Sequence, residues 1–250
     1  MKAIIEVGPN KFELDLNHPL DISIPMRSGA ENPNAFHIQE PLFEPIRIGD
    51  YVGSVKEGSG ANCENLLINA HGNGTHTECI GHITDERITI NQCLKVFFAM
   101  AQVVSMKPQK MANGDSILEL QDLPALQNKQ VNALIIRSIP NSLTKKKQVY
   151  SGNNPCYLEP ELCAYLVQNG IDHVLVDVPS VDREEDGGKM LAHKAFWNYP
   201  QEPRKNATIT EMVFVSDEIE DGIYFLNLQI ASLETDASPS KPVLYRLKQV

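Results

Sequence analysis

The chain has 250 residues, 42% of them apolar and 22% charged, a composition that argues against disorder and a length that can bury a core without staples. Its net charge of −10 and pI of about 5.2 argue against nucleic acid and anionic membranes as partners, since both would be repelled. A small-molecule substrate stays open, because a bound cation can invert the field inside a cleft.

No stretch approaches a membrane-spanning length of apolar residues, and the run after Met1 turns polar too early for a signal peptide. Cys63, Cys79, Cys93, Cys156 and Cys163 are odd in number and form no Cys-x-x-Cys pair. Reduced thiols in the cytoplasm are therefore expected, rather than a disulfide framework or a structural zinc knot.

Residues 1–250 read as one domain. The first sixty residues, rich in Pro, Gly and Asn, form an elaborated leading region with short strands at Ala3–Val7, Phe12–Leu16 and Asp21–Pro25. Val96–Ser105 and Val131–Ile139 are apolar runs bounded by polar loops, as buried strands are. Between them, Met106–Asn128 is polar, with a short helix expected after Gln121. Lys145, Lys146 and Lys147 form a run that reads as a solvated loop. Glu159–Asn169 is the clearest helix, with Pro160 in its first turn and Gly170 as its stop. It leads into a β-branched strand, His173–Val178. Strand, helix and strand in that order predict a βαβ crossover and an α/β fold. A helix near Lys189–Trp197 and strands at Glu211–Val215, Ile223–Ile230 and Val243–Leu247 complete the chain.

The segment from Asn69 to His82 is the most informative. His71, His76 and His82 lie within it beside Glu78, with Gly72 and Gly74 between the first two histidines. In an extended chain His76 and Glu78, two apart, share a face and can converge on one ion. Cys79 then points the other way, into packing. Histidine with carboxylate suits zinc or manganese. Spacing alone leaves both a metal site and a plain polar loop open.

A second cluster, Asp177-Val-Pro-Ser180-Val-Asp182, follows a buried strand directly, where open α/β sheets place their ligands. By itself it could equally be a turn around Pro179 with Ser180 as a cap. His193 falls in a predicted helix, and Glu211 opens an apolar run. Phe196 and Trp197 suit either a pocket wall or the core.

Together these residues resemble the cyclase family of metal-dependent hydrolases that includes bacterial kynurenine formamidase. Gly74-Thr75-His76 matches its first signature and His82 sits at the family spacing. Asp177-Val-Pro-Ser-Val-Asp182 differs from the second signature at one residue. The tail Asp236-Ala-Ser-Pro239 resembles the family's closing turn. The resemblance implies a single compact α/β domain with a mixed sheet, of the swivelling β/β/α type. It implies one or two zinc or manganese ions on His76, His193 and Glu211. Glu78 stands where the family has Asp, and His71 replaces a ligand whose strict position is Gly72. His82 would be the general acid/base, with Asp177, Ser180 and Asp182 behind the ligands. A homodimer or homotetramer hydrolysing an amide or a cyclic ester or amide is the implied enzyme. A non-catalytic small-molecule or metal-binding relative is the alternative.

Overall fold

The computed structural model spans residues 1–250, of which all but residues 128 and 129 are described. Strands of the principal sheet are β1 (Leu20–Asp21), β2 (His76–Glu78), β3 (Phe98–Met106), β4 (Ala133–Ser138), β5 (His173–Val176), β6 (Thr208–Glu211), β7 (Gly222–Ile230) and β8 (Ala237–Arg246). The helices are α1 (Ile90–Cys93), α2 (Pro160–Gln168) and α3 (Leu191–Trp197). Every residue of β4 and β5 is buried. That is why the sequence shows apolar runs there rather than alternation, as in parallel strands covered on both faces.

Strand order is β7-β3-β4-β5-β6-β2-β8, with β1 added beside β8. β3 to β6 are parallel, and β4-α2-β5 is the expected crossover. β2, β8 and β7 run antiparallel to their neighbours. β8 changes partner along its length: residues 237–239 pair with β2 and residues 240–246 with β7. This switch closes the mixed sheet into a seven-strand, barrel-like ring. The α/β class with a mixed sheet is thus what the chain adopts. One apolar core joins the sheet to Leu162, Cys163 and Leu166 of α2 and to Phe196 and Trp197 of α3. Both aromatic rings are fully buried there, so packing accounts for them and they do not wall the cleft. Cys79 is buried in the same core.

Four elements differ from expectation by more than two residues at a boundary or in type. The Glu211–Val215 strand instead ends at Glu211, because Met212 takes a left-handed φ of 53°. Val213 and Phe214 then bond across the sheet's end to Val176 and Ile22, burying the apolar run outside the ladder. The helix after Gln121 is only a 3₁₀ turn, Leu120–Asp122. Pro124 biases Leu123 toward the extended backbone it adopts. The polar stretch around it ends at Asn128, outside the described residues. The strand expected at Val243–Leu247 begins at Ala237, since Pro239 and Pro242 fall where β8 exchanges partners and their missing donors are tolerated. Near the N-terminus, the expected strand Asp21–Pro25 contributes only Asp21, the second residue of β1.

Candidate metal centre

Sheet register assembles the site. β2 lies between β6 and β8, with Glu211 opposite His76 on one side and Ala237 opposite Glu78 on the other. His76 and Glu78 therefore share a face, and Glu211 and Asp236 are brought in from remote parts of the chain. His71 precedes β2 on a tight turn. A Cβ on Gly72 would lie 2.6 Å from the end of the Ile38 side chain and 3.0 Å from the Ala35 carbonyl, so the chain passes close to its neighbours there. Gly81 is still tighter, with a virtual Cβ 1.9 Å from the Ile88 carbonyl. This close approach folds the 3₁₀ turn Ile80–Ile83 back and carries His82 to the cluster.

Glu78 is the hub, fully buried. Its Oε1 is 3.0 Å from His193 Nε2, and its Oε2 is 3.1 Å from His71 Nδ1 and 3.8 Å from His82 Nε2. His76 Nε2 is 3.3 Å from Glu211 Oε2, while its Nδ1 donates to the Gly74 carbonyl at 2.9 Å. That bond directs Nε2 inward. Two buried atoms, His76 Nε2 and Glu78 Oε2, have no hydrogen-bond partner among the described residues. Such orphans inside a closed protein call for a ligand. Three donor groups have their atoms within 4.8 Å of one another: His71/His76/Glu78, Glu78/His82/His193 and His71/His82/Asp236. Imidazole and carboxylate without thiolate, gathered around two orphaned atoms, fit a divalent ion.

The cluster is strongly polarised. Burial opposes charge on His193, yet the Glu78 charge and a hydrogen bond to Asp182 outweigh it and raise its pKa to about 10. Burial likewise opposes charge on His71, and Asp236 and Glu78 raise it to about 10. Burial would raise Glu78, but the charges on His82 and His193 hold it well below the usual carboxylate range.

Asp182 lies behind His193. It accepts from His193 Nδ1 at 2.6 Å and from the Ala192 and His193 backbone N–H groups. It thereby caps α3 and sets the ring at once. Ser180 Oγ accepts from the Asp182 N–H at 3.1 Å.

Asp177 lies elsewhere. Its carboxylate meets Lys145 Nζ at 2.7 Å and the Ser138 N–H, and touches none of the histidines. The lysine run is thus solvated only in part, because its first member, Lys145, is buried. Removing one partner of a buried pair strands the other charge, at a cost of about 3–5 kcal/mol. Lys145→Met is expected to lose about that much stability in guanidinium unfolding, and an unchanged midpoint would show the pair to be inert.

Asp236 is the residue that pattern reasoning missed. Its Oδ2 lies 2.9 Å from His71 Nε2 and 3.1 Å from His82 Nδ1, and the two rings stack at 4.4 Å. The Asp-Ala-Ser-Pro turn was the available signal, but nothing local links it to histidines more than 150 residues away.

The centre opens into a cavity of about 330 Å³, lined by His71, His82, His193, Phe36, Met190 and Arg183 among others. Arg183 is tied to Asp115, whose oxygens also accept from Asn154, Tyr157 and Asn113. These bonds, Asn154's foremost, hold the Asp115 carboxyl down at about 2 against a usual 3.8. With the folded value lowered, the stabilisation is complete above about pH 4 and is lost as pH falls toward 2. Asp115→Asn should therefore flatten the fall in unfolding midpoint over that window. A parallel decline in both proteins would refute the assignment.

With this geometry in place, similarity to known proteins is informative. Residues 14–183 match the Cyclase family, described as Putative cyclase, and the chain belongs to that family. It is 26% identical over 196 residues to a kynurenine formamidase of Bacillus cytotoxicus, covering 77% of this chain and 85% of the relative. A kynurenine formamidase of Bacillus mycoides is 27% identical over 192 residues, covering 76% and 83%. Among solved structures, a predicted metal-dependent hydrolase from Bacillus stearothermophilus superposes with a TM-score of 0.63 at 16% identity, covering 91% of this chain and 98% of that one. Isatin hydrolase A from Labrenzia aggregata gives 0.62 at 12% identity, covering 91% and 93%. These likenesses at low identity show the fold. No helix among the described residues is long and apolar enough to cross a membrane.

Proposed function

We propose that the protein is a metal-dependent hydrolase of an amide, or of a cyclic ester or amide, using zinc or manganese. The observation that carries this reading is the pair of orphaned buried atoms, His76 Nε2 and Glu78 Oε2, inside a His/Glu cluster at the floor of an open cavity. The names of the relatives, kynurenine formamidase and isatin hydrolase, point to the same bond types. His71, His76, Glu78, His193 and Glu211 would hold one or two ions. A divalent ion there supplies Lewis-acid polarisation of a carbonyl and acidifies water.

The chain's own residues do the rest. Asp182 fixes the His193 ring so that Nε2 faces Glu78. Glu211 Oε1 accepts from the Val181 N–H at 2.8 Å, which ties the Ser180–Asp182 loop to the centre and leaves Oε2 beside His76. His82 donates Nδ1–H to Asp236, which leaves Nε2 to take a proton and return it to the leaving group. The test is a screen of zinc- and manganese-loaded protein on N-formylkynurenine, formanilide, isatin and simple lactones. Turnover that vanishes on chelation and returns with metal is expected. Stoichiometric metal without turnover of any of them would overturn the enzyme in favour of a binding protein.

We further propose a homodimer or homotetramer. Ile48, Tyr51, Val55, Leu66 and Leu67 are exposed on a leading arm that includes two separate two-stranded sheets. Such ribbons are marginal alone, and a second copy would cover their apolar side chains. Light scattering at micromolar concentration is expected to give a multiple of 27.8 kDa, and the monomer mass would dispose of the idea.

A further inference from the structure

Arg183 has no part in the chemistry above, yet it is the only lysine or arginine among the described residues that line the cavity. It is held in place. Nε donates to Asp115 Oδ1 at 3.1 Å and Nη1 to the Glu185 carbonyl at 2.6 Å. Asp115 is itself buried, with Asn154, Tyr157 and Asn113 occupying its remaining lone pairs. Three further side chains thus fix the anchor of one arginine. Nη2 has no hydrogen-bond partner among the described residues, and the side chain remains 40% exposed.

The acidic neighbours on the same wall are engaged elsewhere. Glu184 Oε1 accepts from the Gly152 N–H at 2.8 Å, and Asp186 from the Gly188 and Met190 N–H groups. Asp115 takes Nε and the Glu185 carbonyl takes Nη1, which leaves the Nη2 N–H groups to a ligand. A charged N–H donor held in place suits a carboxylate, and fixing it beforehand removes much of the ordering cost of binding. Position strengthens the case, because Arg183 directly follows Asp182, which orients His193. The guanidinium and the metal centre are therefore set by the same loop.

We propose that Arg183 is a specificity residue that reads a carboxylate on the substrate, so that the protein favours carboxylate-bearing amides over their neutral counterparts. The inference rests on the hydrolase reading for its turnover arm but not for its binding arm.

The three isomeric formamidobenzoates, each compared with formanilide, test the turnover arm with metal-loaded protein. At least one isomer should exceed formanilide in kcat/KM by about 10- to 100-fold, the usual worth of a charge-assisted hydrogen bond. Arg183→Met should collapse that ratio mainly through KM, and Arg183→Lys should restore part of it. The binding arm uses the matching aminobenzoates and aniline, followed by calorimetry. Arg183→Met should weaken the favoured aminobenzoate by a similar factor at unchanged metal content. If Arg183 only braces its loop, the variant lowers the melting midpoint and depresses all compounds alike, and the proposal falls. It also falls if no isomer is preferred, or if the preference survives Arg183→Met because the carboxylate sits on the metal. Absence of turnover with intact, Arg183-dependent aminobenzoate binding would count against the hydrolase reading while upholding this one.

Discussion

Glu78→Ala is expected to abolish retention of a divalent ion. The carboxylate is shared by two of the three donor groups, and its buried Oε2 makes no well-formed hydrogen bond, with His71 Nδ1 beside it at 3.1 Å. Groups that merely support a ligand are worth about 10- to 100-fold in metal affinity, so loss of the shared donor itself should cost about 100-fold or more. Protein loaded with zinc or manganese, dialysed, and analysed for elemental content gives the answer. The parent should keep stoichiometric metal, and Glu78→Ala should not. Neither should His76→Ala/Glu211→Ala, which removes the opposite side of the cluster. Stoichiometric metal in both variants would sink the assignment.

His82 should behave differently. Its Nδ1 is held by Asp236 at 3.1 Å, its Nε2 stands 3.8 Å from Glu78, and its side chain is 27% exposed to the cavity. A proton carrier needs that access, whereas His76 and His193 are closed off from solvent. His82→Asn should cut turnover by about 10²–10⁴-fold, the usual contribution of a general acid/base. Metal content and melting midpoint should barely move. The Glu78/His82/His193 group offers the rival outcome, in which metal is lost in step with activity and His82 is a ligand. Full activity would leave it neither role.

Local pattern made much of this legible. Apolar runs of strand length marked β3, β4 and β5, because burial on both faces of a strand in a parallel sheet leaves an apolar run in any context. Pro160 and Gly170 marked the ends of α2 through backbone conformation alone, with Gly170 at a φ of 75°. Within the site, the pairing of His76 with Glu78 followed from the two-residue period of a strand. The link from Asp182 to His193 was also within reach, since only eleven residues separate them.

Long-range register decided the rest. Asp236 meets His71 across 165 positions and His82 across 154, and only the pairing of β8 with β2 brings them together. Nothing in a run of three lysines says that Lys145 turns inward to Asp177, because charge runs are solvated unless a buried partner repays desolvation. The clamp of Asp115 on Arg183 likewise spans 68 positions. By itself the sequence determined the α/β class, the βαβ unit and the histidine-rich segment around β2, all products of local periodicity and backbone preference. Closure of the ring by β8, the convergence of His193, Glu211 and Asp236 on the segment from His71 to His82, and the fixed cation at the cavity wall were decided by tertiary structure, since each depends on contacts between residues that no local pattern connects.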